Sequence, residues 1–153
     1  MKRRLVVLAL LGGLACGGSP PQPVSPQSLT EALAQFLSAV KANDLDRMGT
    51  LWGTERGPAA GRMKAEELRQ RLSIIQRYLA HSGYRVIEGP LVVAGRDDER
   101  SFRVELQRDQ CNFVLPIDLV RAKNGAWLVY DVHLESAGNP ASACRPVAPG
   151  TRP

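Results

Sequence analysis

The hydrophobic period changes once along this chain, and that change restricts the fold more than any motif in it. From Leu29 to Leu79 apolar residues recur at helical spacing: Leu29, Leu33, Phe36, Leu37 and Val40, then Leu68, Leu72, Ile75 and Leu79. From Tyr84 onward they alternate, with Phe102, Val104 and Leu106 interleaved by Arg103, Glu105 and Gln107. The first spacing lays an apolar stripe along a helix, and the second dries one face of a strand. Helices followed by a run of strands predict an α+β fold, with helices packed on one face of a curved antiparallel four-stranded sheet.

Local signals divide these segments. Ser28-Leu29-Thr30-Glu31 has the pattern of a capping box that opens a helix. Asn43 and Asp44 break it, and Asp44 can cap a short second helix carrying Leu45, Met48, Leu51 and Trp52. A loop with Gly53, Gly57, Pro58 and Gly61 leads to a helix from about Met63 to His81, ended by Gly83. His81 is expected in its last turn, where the helix dipole favours a cation. Strands are expected near 84–94, 100–108, 111–122 and 126–135, with GRDDER as a turn and Asn124-Gly125 as a hairpin. Pro116 cannot donate to a ladder, so it implies a bulge or an edge.

This layout resembles the nuclear transport factor 2-like superfamily, which includes the ketosteroid isomerase-like and SnoaL-like domains. The resemblance rests on a leading helix followed by KANDLDRMGTLWGTERGPAAG, a further helix, and a closing strand NGAWLVYDVHL. It implies a cone of helices wrapped by a bent sheet over residues 28–137, with a pocket at the open end. Members include enzymes, binding proteins and assembly modules, so the fold alone assigns no function. In the isomerase-like enzymes a carboxylate moves a proton while an acidic donor holds the oxyanion. The candidates here are Asp118, Asp131 and His133, with Tyr130 as a donor. Asp131 and His133 are two apart on a strand and could form an acid–base pair. In the plainer alternative Trp127, Val129, Asp131, His133 and Glu135 make one face, and Leu128, Tyr130, Val132 and Leu134 fill the core. No catalytic role is carried over residue by residue. Two histidines and no close cysteine pair leave no metal-ligand spacing, and no cofactor is expected. The few aromatic residues predict a densely filled core and a shallow cavity, with Trp52 and Trp127 near its mouth, open to a small apolar ligand.

The chain opens with Lys2, Arg3 and Arg4, then an apolar run from Leu5 to Ala15, then Cys16. A run this short falls below the ~20 residues that span a bilayer and has the form of a signal peptide, residues 1–15. Gly13-Leu14-Ala15-Cys16 resembles the lipobox of bacterial lipoproteins, which implies cleavage before Cys16 and acylation of its thiol. An ordinary secretory signal that leaves Cys16 as a spare thiol is the alternative. Gly17 after the cysteine, in place of aspartate, leans toward an outer membrane facing the periplasm. Residues 16–27 carry four prolines and make a semi-rigid linker, and residues 138–153 form a similar Pro-rich tail.

Without Lys2, Arg3 and Arg4, 17 basic residues face 15 acidic ones, so no nucleic-acid partner is expected. Arg62, Lys64, Arg69, Arg71 and Arg77 bias one helix, as a solvated face does. With Cys16 consumed by lipid, Cys111 and Cys144 remain to pair in an oxidising compartment. The sequence therefore reads as an envelope lipoprotein tethered to the bilayer through Cys16. Its domain is expected to bind or scaffold a small apolar ligand, an envelope protein or a second copy in a homodimer. An isomerase- or dehydratase-like enzyme using Asp131 and His133 is the alternative.

Overall fold

The computed structural model describes residues 25–108 and 111–138. The signal segment, Cys16, most of the linker, and the tail with Cys144 lie outside the described residues. The order is α1 (Leu29–Ala42), α2 (Leu45–Leu51), a small hairpin of β1 (Gly53–Thr54) and β2 (Gly57–Pro58), and α3 (Ala65–Leu79). The strands β3 (Gly83–Val93), β4 (Arg96–Arg108), β5 (Cys111–Arg121) and β6 (Trp127–Val132) follow. They form one antiparallel meander in the order β3-β4-β5-β6.

The helix starts form as their sequence dictates. Ser28 Oγ accepts from the Glu31 amide at 3.2 Å, and Asp44 Oδ1 accepts from the Arg47 amide at 2.8 Å. Between them Asn43 takes the left-handed conformation at φ 54°, which lets α1 stop and α2 begin within two residues. The expected loop after Trp52 folds back as the β1–β2 hairpin, and Gly53 is required there. A Cβ at Gly53 would stand 2.4 Å from the Gly57 carbonyl oxygen and 2.8 Å from Leu128 Cδ1. Gly53→Ala is therefore expected to lower stability by about 1–3 kcal/mol, the usual cost of overpacking. Gly61→Ala is its control in thermal melts, since a Cβ there meets nothing within 4 Å.

The helices cover one face of the sheet. Phe102, Val104 and Leu106 of β4, Leu115, Ile117 and Leu119 of β5, and Val129 and Val132 of β6 are buried. They meet Leu33, Phe36, Leu37, Val40, Leu68, Leu72 and Leu79 in one core. Nearly every helical and strand position expected in the core is there. Ile75 and Phe113 pack at its margin, and Tyr130 is the exception.

Tyr130 is 37% exposed because β6 does not keep a strict period of two. Asp118 pairs with Asp131 and Leu119 with Val129, so Tyr130 is an extra residue with no register partner. One inserted residue exchanges the faces. Val129 thus enters the main core, while Leu128 joins Val120 and Ala122 in a separate cluster. Pro116 marks neither a bulge nor an edge: its register with β4 is unbroken, and the nearest shift falls between Asp118 and Leu119. Pro116 lies in a central strand opposite Arg103, and its carbonyl accepts from the His133 amide just past the end of β6. Its missing N–H turns to that same side, past the end of β6, so the β4–β5 ladder is spared. The GRDDER segment is likewise shorter as a turn than expected: β4 already begins at Arg96, and Gly95 at φ 74° makes the reversal.

Candidate functional site

The ionisable residues singled out above gather where β5, β6 and the 3-10 turn Leu134–Ala137 meet. Asp118 is central in β5, Asp131 stands opposite it on β6, and His133 caps the turn. His133 is held from both sides. Its Nε2 lies 2.9 Å from Asp118 Oδ2 and its Nδ1 lies 3.1 Å from Glu135 Oε1. Of the pairings the sequence allowed, His133 meets Asp118 and not Asp131. Asp131 Oδ1 instead accepts from the Val132 amide at 2.8 Å, because the bulge turns Asp131 back along its own strand. Glu135, placed two residues on by the 3-10 turn, is the partner that sequence reasoning missed. Only its spacing from His133 signalled it.

Two carboxylate acceptors, one at each ring nitrogen, are both satisfied when the imidazole carries a proton on each. The Asp118 hydrogen bond accordingly raises the His133 pKa above 6.5, with burial opposing it and Glu135 and Asp131 adding to it. The arrangement favours the protonated ring, with each N–H directed at a carboxylate oxygen and Asp118 fixing the ring's orientation.

His81 corrects a further expectation. Helix α3 ends at Leu79, so His81 lies beyond it, with Nδ1 2.8 Å from the Leu79 carbonyl oxygen. Burial is the dominant influence and lowers its pKa, assisted by Lys41, against the opposing pull of that carbonyl. The dipole does not decide its charge.

The two histidines therefore act in opposite senses on stability. The contribution of His133 is fully present below pH 6.5 and is lost as the pH rises through its raised value. The contribution of His81 is present above pH 6.5 and is lost as the pH falls below it. In melts across pH 5–8, His133→Gln should flatten the alkaline decline and His81→Gln the acidic one. The opposite assignment would refute both.

Trp52 packs against Phe36 with ring centroids 5.9 Å apart and lines a cavity of about 280 Å3 with Met63, Leu68, Leu72 and Ile75. Trp127 is elsewhere: it opens β6 opposite Arg121, and its amide donates to the Pro26 carbonyl. Trp127 is not among the residues that line the cavity beside Trp52. A larger cleft of about 530 Å3 opens between α2 and α3, floored by Leu45, Gly49, Leu68 and Leu72. The Arg69–Asp46 ion pair, 3.3 Å long and exposed, stands among its lining residues. Cys111 opens β5, and the Cys111–Cys144 pairing involves a residue outside the described ones.

The most unusual surface is β3. No position along it is buried, and Tyr84, Val86, Ile87, Leu91 and Val92 are all at least 38% exposed. Among the described residues no helix is long and apolar enough to cross a membrane. The chain matches no protein-family model and no curated protein.

Proposed function

We propose that the protein is a bacterial envelope lipoprotein, held to the outer membrane by acylated Cys16, whose nuclear transport factor 2-like cone serves as a binding or scaffolding module. The carrying observation is the exposed apolar strand β3. A long edge strand with apolar side chains is a surface that soluble proteins normally blunt, and a molecule that keeps one has a partner for it. The Pro-rich linker sets this domain off the lipid surface. Two or more acyl chains suffice for a stable tether, where a single chain binds marginally.

The enzymatic alternative rests on the His133–Asp118 pair, which has the geometry of a general acid with its orienting carboxylate. It would act on a small carbonyl substrate of the isomerase or dehydratase type.

The tether is tested by fractionation of cells that express the full chain. Cys16→Ala should move the protein from the membrane to the soluble fraction and abolish acyl labelling, and a variant that still pellets with membranes overturns the anchor. Binding is separated from catalysis by screening steroid-like and polyketide-like substrates against the protein and its His133→Ala variant. Turnover that vanishes with His133 would establish the enzyme instead.

A further inference from the structure

The segment Arg85-Val86-Ile87-Glu88 reads basic, apolar, apolar, acidic, and the same order reversed is its electrostatic complement. The sheet gives this pattern a single face. Arg85 pairs in register with Glu105, and Glu88 with Arg103, and those β4 residues are two apart on the face away from the helices. On β3 the interval is three, because a bulge between Val86 and Glu88 absorbs Ile87. Arg85 and Glu88 therefore project from the same face, on either side of an apolar step. Both are already in ion pairs, Arg85 with Glu105 at 3.0 Å and Glu88 with Arg103 at 3.2 Å.

We infer that this edge of β3 docks a second copy of the chain, antiparallel about a two-fold axis through the Val86–Ile87 step, so that Arg85 faces Glu88 of the second copy. The inference rests on the binding role proposed above and names its partner. The two-fold makes each contact twice, as an isologous interface requires. Across the seam the charges run Glu105, Arg85, Glu88 of the second copy, Arg103 of the second copy, alternating in sign throughout. Slipping the register by one residue sets Arg85 against Ile87 or Gly89 and leaves both charges facing apolar neighbours. Val86 and Ile87, 39% and 42% exposed, close on their counterparts at the axis.

The rest of the strand limits the contact to this segment. Further register shifts follow between Glu88 and Leu91 and between Val92 and Val93, and Pro90 has no N–H to offer. The bulge also weakens any ladder at the axis, so side chains carry the contact. The chain's own tail is a poor competitor for the edge, because Pro140, Pro146, Pro149 and Pro153 interrupt it. Tethering in a membrane raises the effective concentration, so that a contact weak in solution is occupied there.

The test is sedimentation velocity of the full chain in mild detergent at matched density, over a range of concentrations. The wild type should show a reversible monomer–dimer equilibrium. Arg85→Glu and Glu88→Arg should each weaken it about tenfold or more, since each puts like charges across the seam twice. An equimolar mixture of the two should dimerise again, because one edge then carries two acids and the other two bases. Ile87→Asp, which breaks no intrachain ion pair, should also be monomeric with an unchanged circular dichroism spectrum. A monomeric wild type overturns the self-pairing, as does a dimer indifferent to these changes or a mixture of folded variants that stays monomeric. None of those results touches the tether or the wider binding role, which the Cys16→Ala fractionation and the substrate screen decide.

Discussion

Phe36→Ala is expected to destabilise the fold by about 3–5 kcal/mol, the range for deleting a buried aromatic side chain without collapse of the space it leaves. Phe36 is fully buried in the centre of α1, where the stripe Leu33, Phe36, Leu37 and Val40 meets the sheet. Trp52 lies against it with the rings tilted at 41°, and Trp52 already borders a cavity of about 280 Å3. Truncating Phe36 would leave new empty volume beside that one, and the neighbouring Leu33 and Leu37 are anchored on the same rigid helix and cannot swing in to fill it. For a domain of this size the melting temperature should fall on the order of 10–20 °C. Ile74→Ala is the comparison, since Ile74 is 55% exposed on α3 and its truncation should stay within about 0.5 kcal/mol. Urea unfolding of both variants decides it. Equal losses would mean that α1 does not seat on the sheet as described.

What was legible in the chain follows from how locally each feature is determined. The stripe on α1 and the alternation of β4 are satisfied by one element facing one core, and both came through, with Leu29 alone left at the margin. The Ser28 and Asp44 caps are equally local, because an acceptor three residues before a free amide closes its own bond. The antiparallel meander came through as well, but irregularities in how one strand meets the next did not. The extra residue at Tyr130 is decided by how β6 meets Asp118 and Leu119, and nothing in WLVYDV marks it. That displacement in turn decides the candidate site: it sends Asp131 to a backbone amide and leaves His133 to Asp118, across fifteen residues of sequence. His81 was misjudged for a related reason. Its burial comes from packing around the α3–β3 connection, with Tyr84 edge-on at 6.0 Å, and burial outweighs the local carbonyl. The exposure of β3 was invisible too, since an apolar strand reads alike whether both of its edges are paired or one is free.

The second large effect concerns the proposed Cys111–Cys144 bridge. Closing a loop of about 33 residues corresponds to ~3–4 kcal/mol in the chain-entropy model. Described residues opposite Cys111 and just before the tail touch the same helix. Cys111 pairs in register with Arg108, whose guanidinium donates to the carbonyls of Tyr78 and Ala80 at the end of α3. Gly138, the last described residue before the tail, lines a cleft of about 550 Å3 with Ile74 and Tyr78 of the same helix. Arg108 and Gly138 thus both lie against the C-terminal half of α3, and six residues, the interval from Gly138 to Cys144, span at most ~20 Å when extended. Intact mass of the unreduced protein should be lower by two hydrogen atoms than after reduction, with neither Cys111 nor Cys144 alkylated before reductant. Cys111→Ser and Cys144→Ser should each lower the melting temperature, and the double variant should lower it no further, because either change alone opens the loop. Two cysteines that alkylate in the native, unreduced chain, or losses that add in the double variant, would show that no such bridge supports the fold.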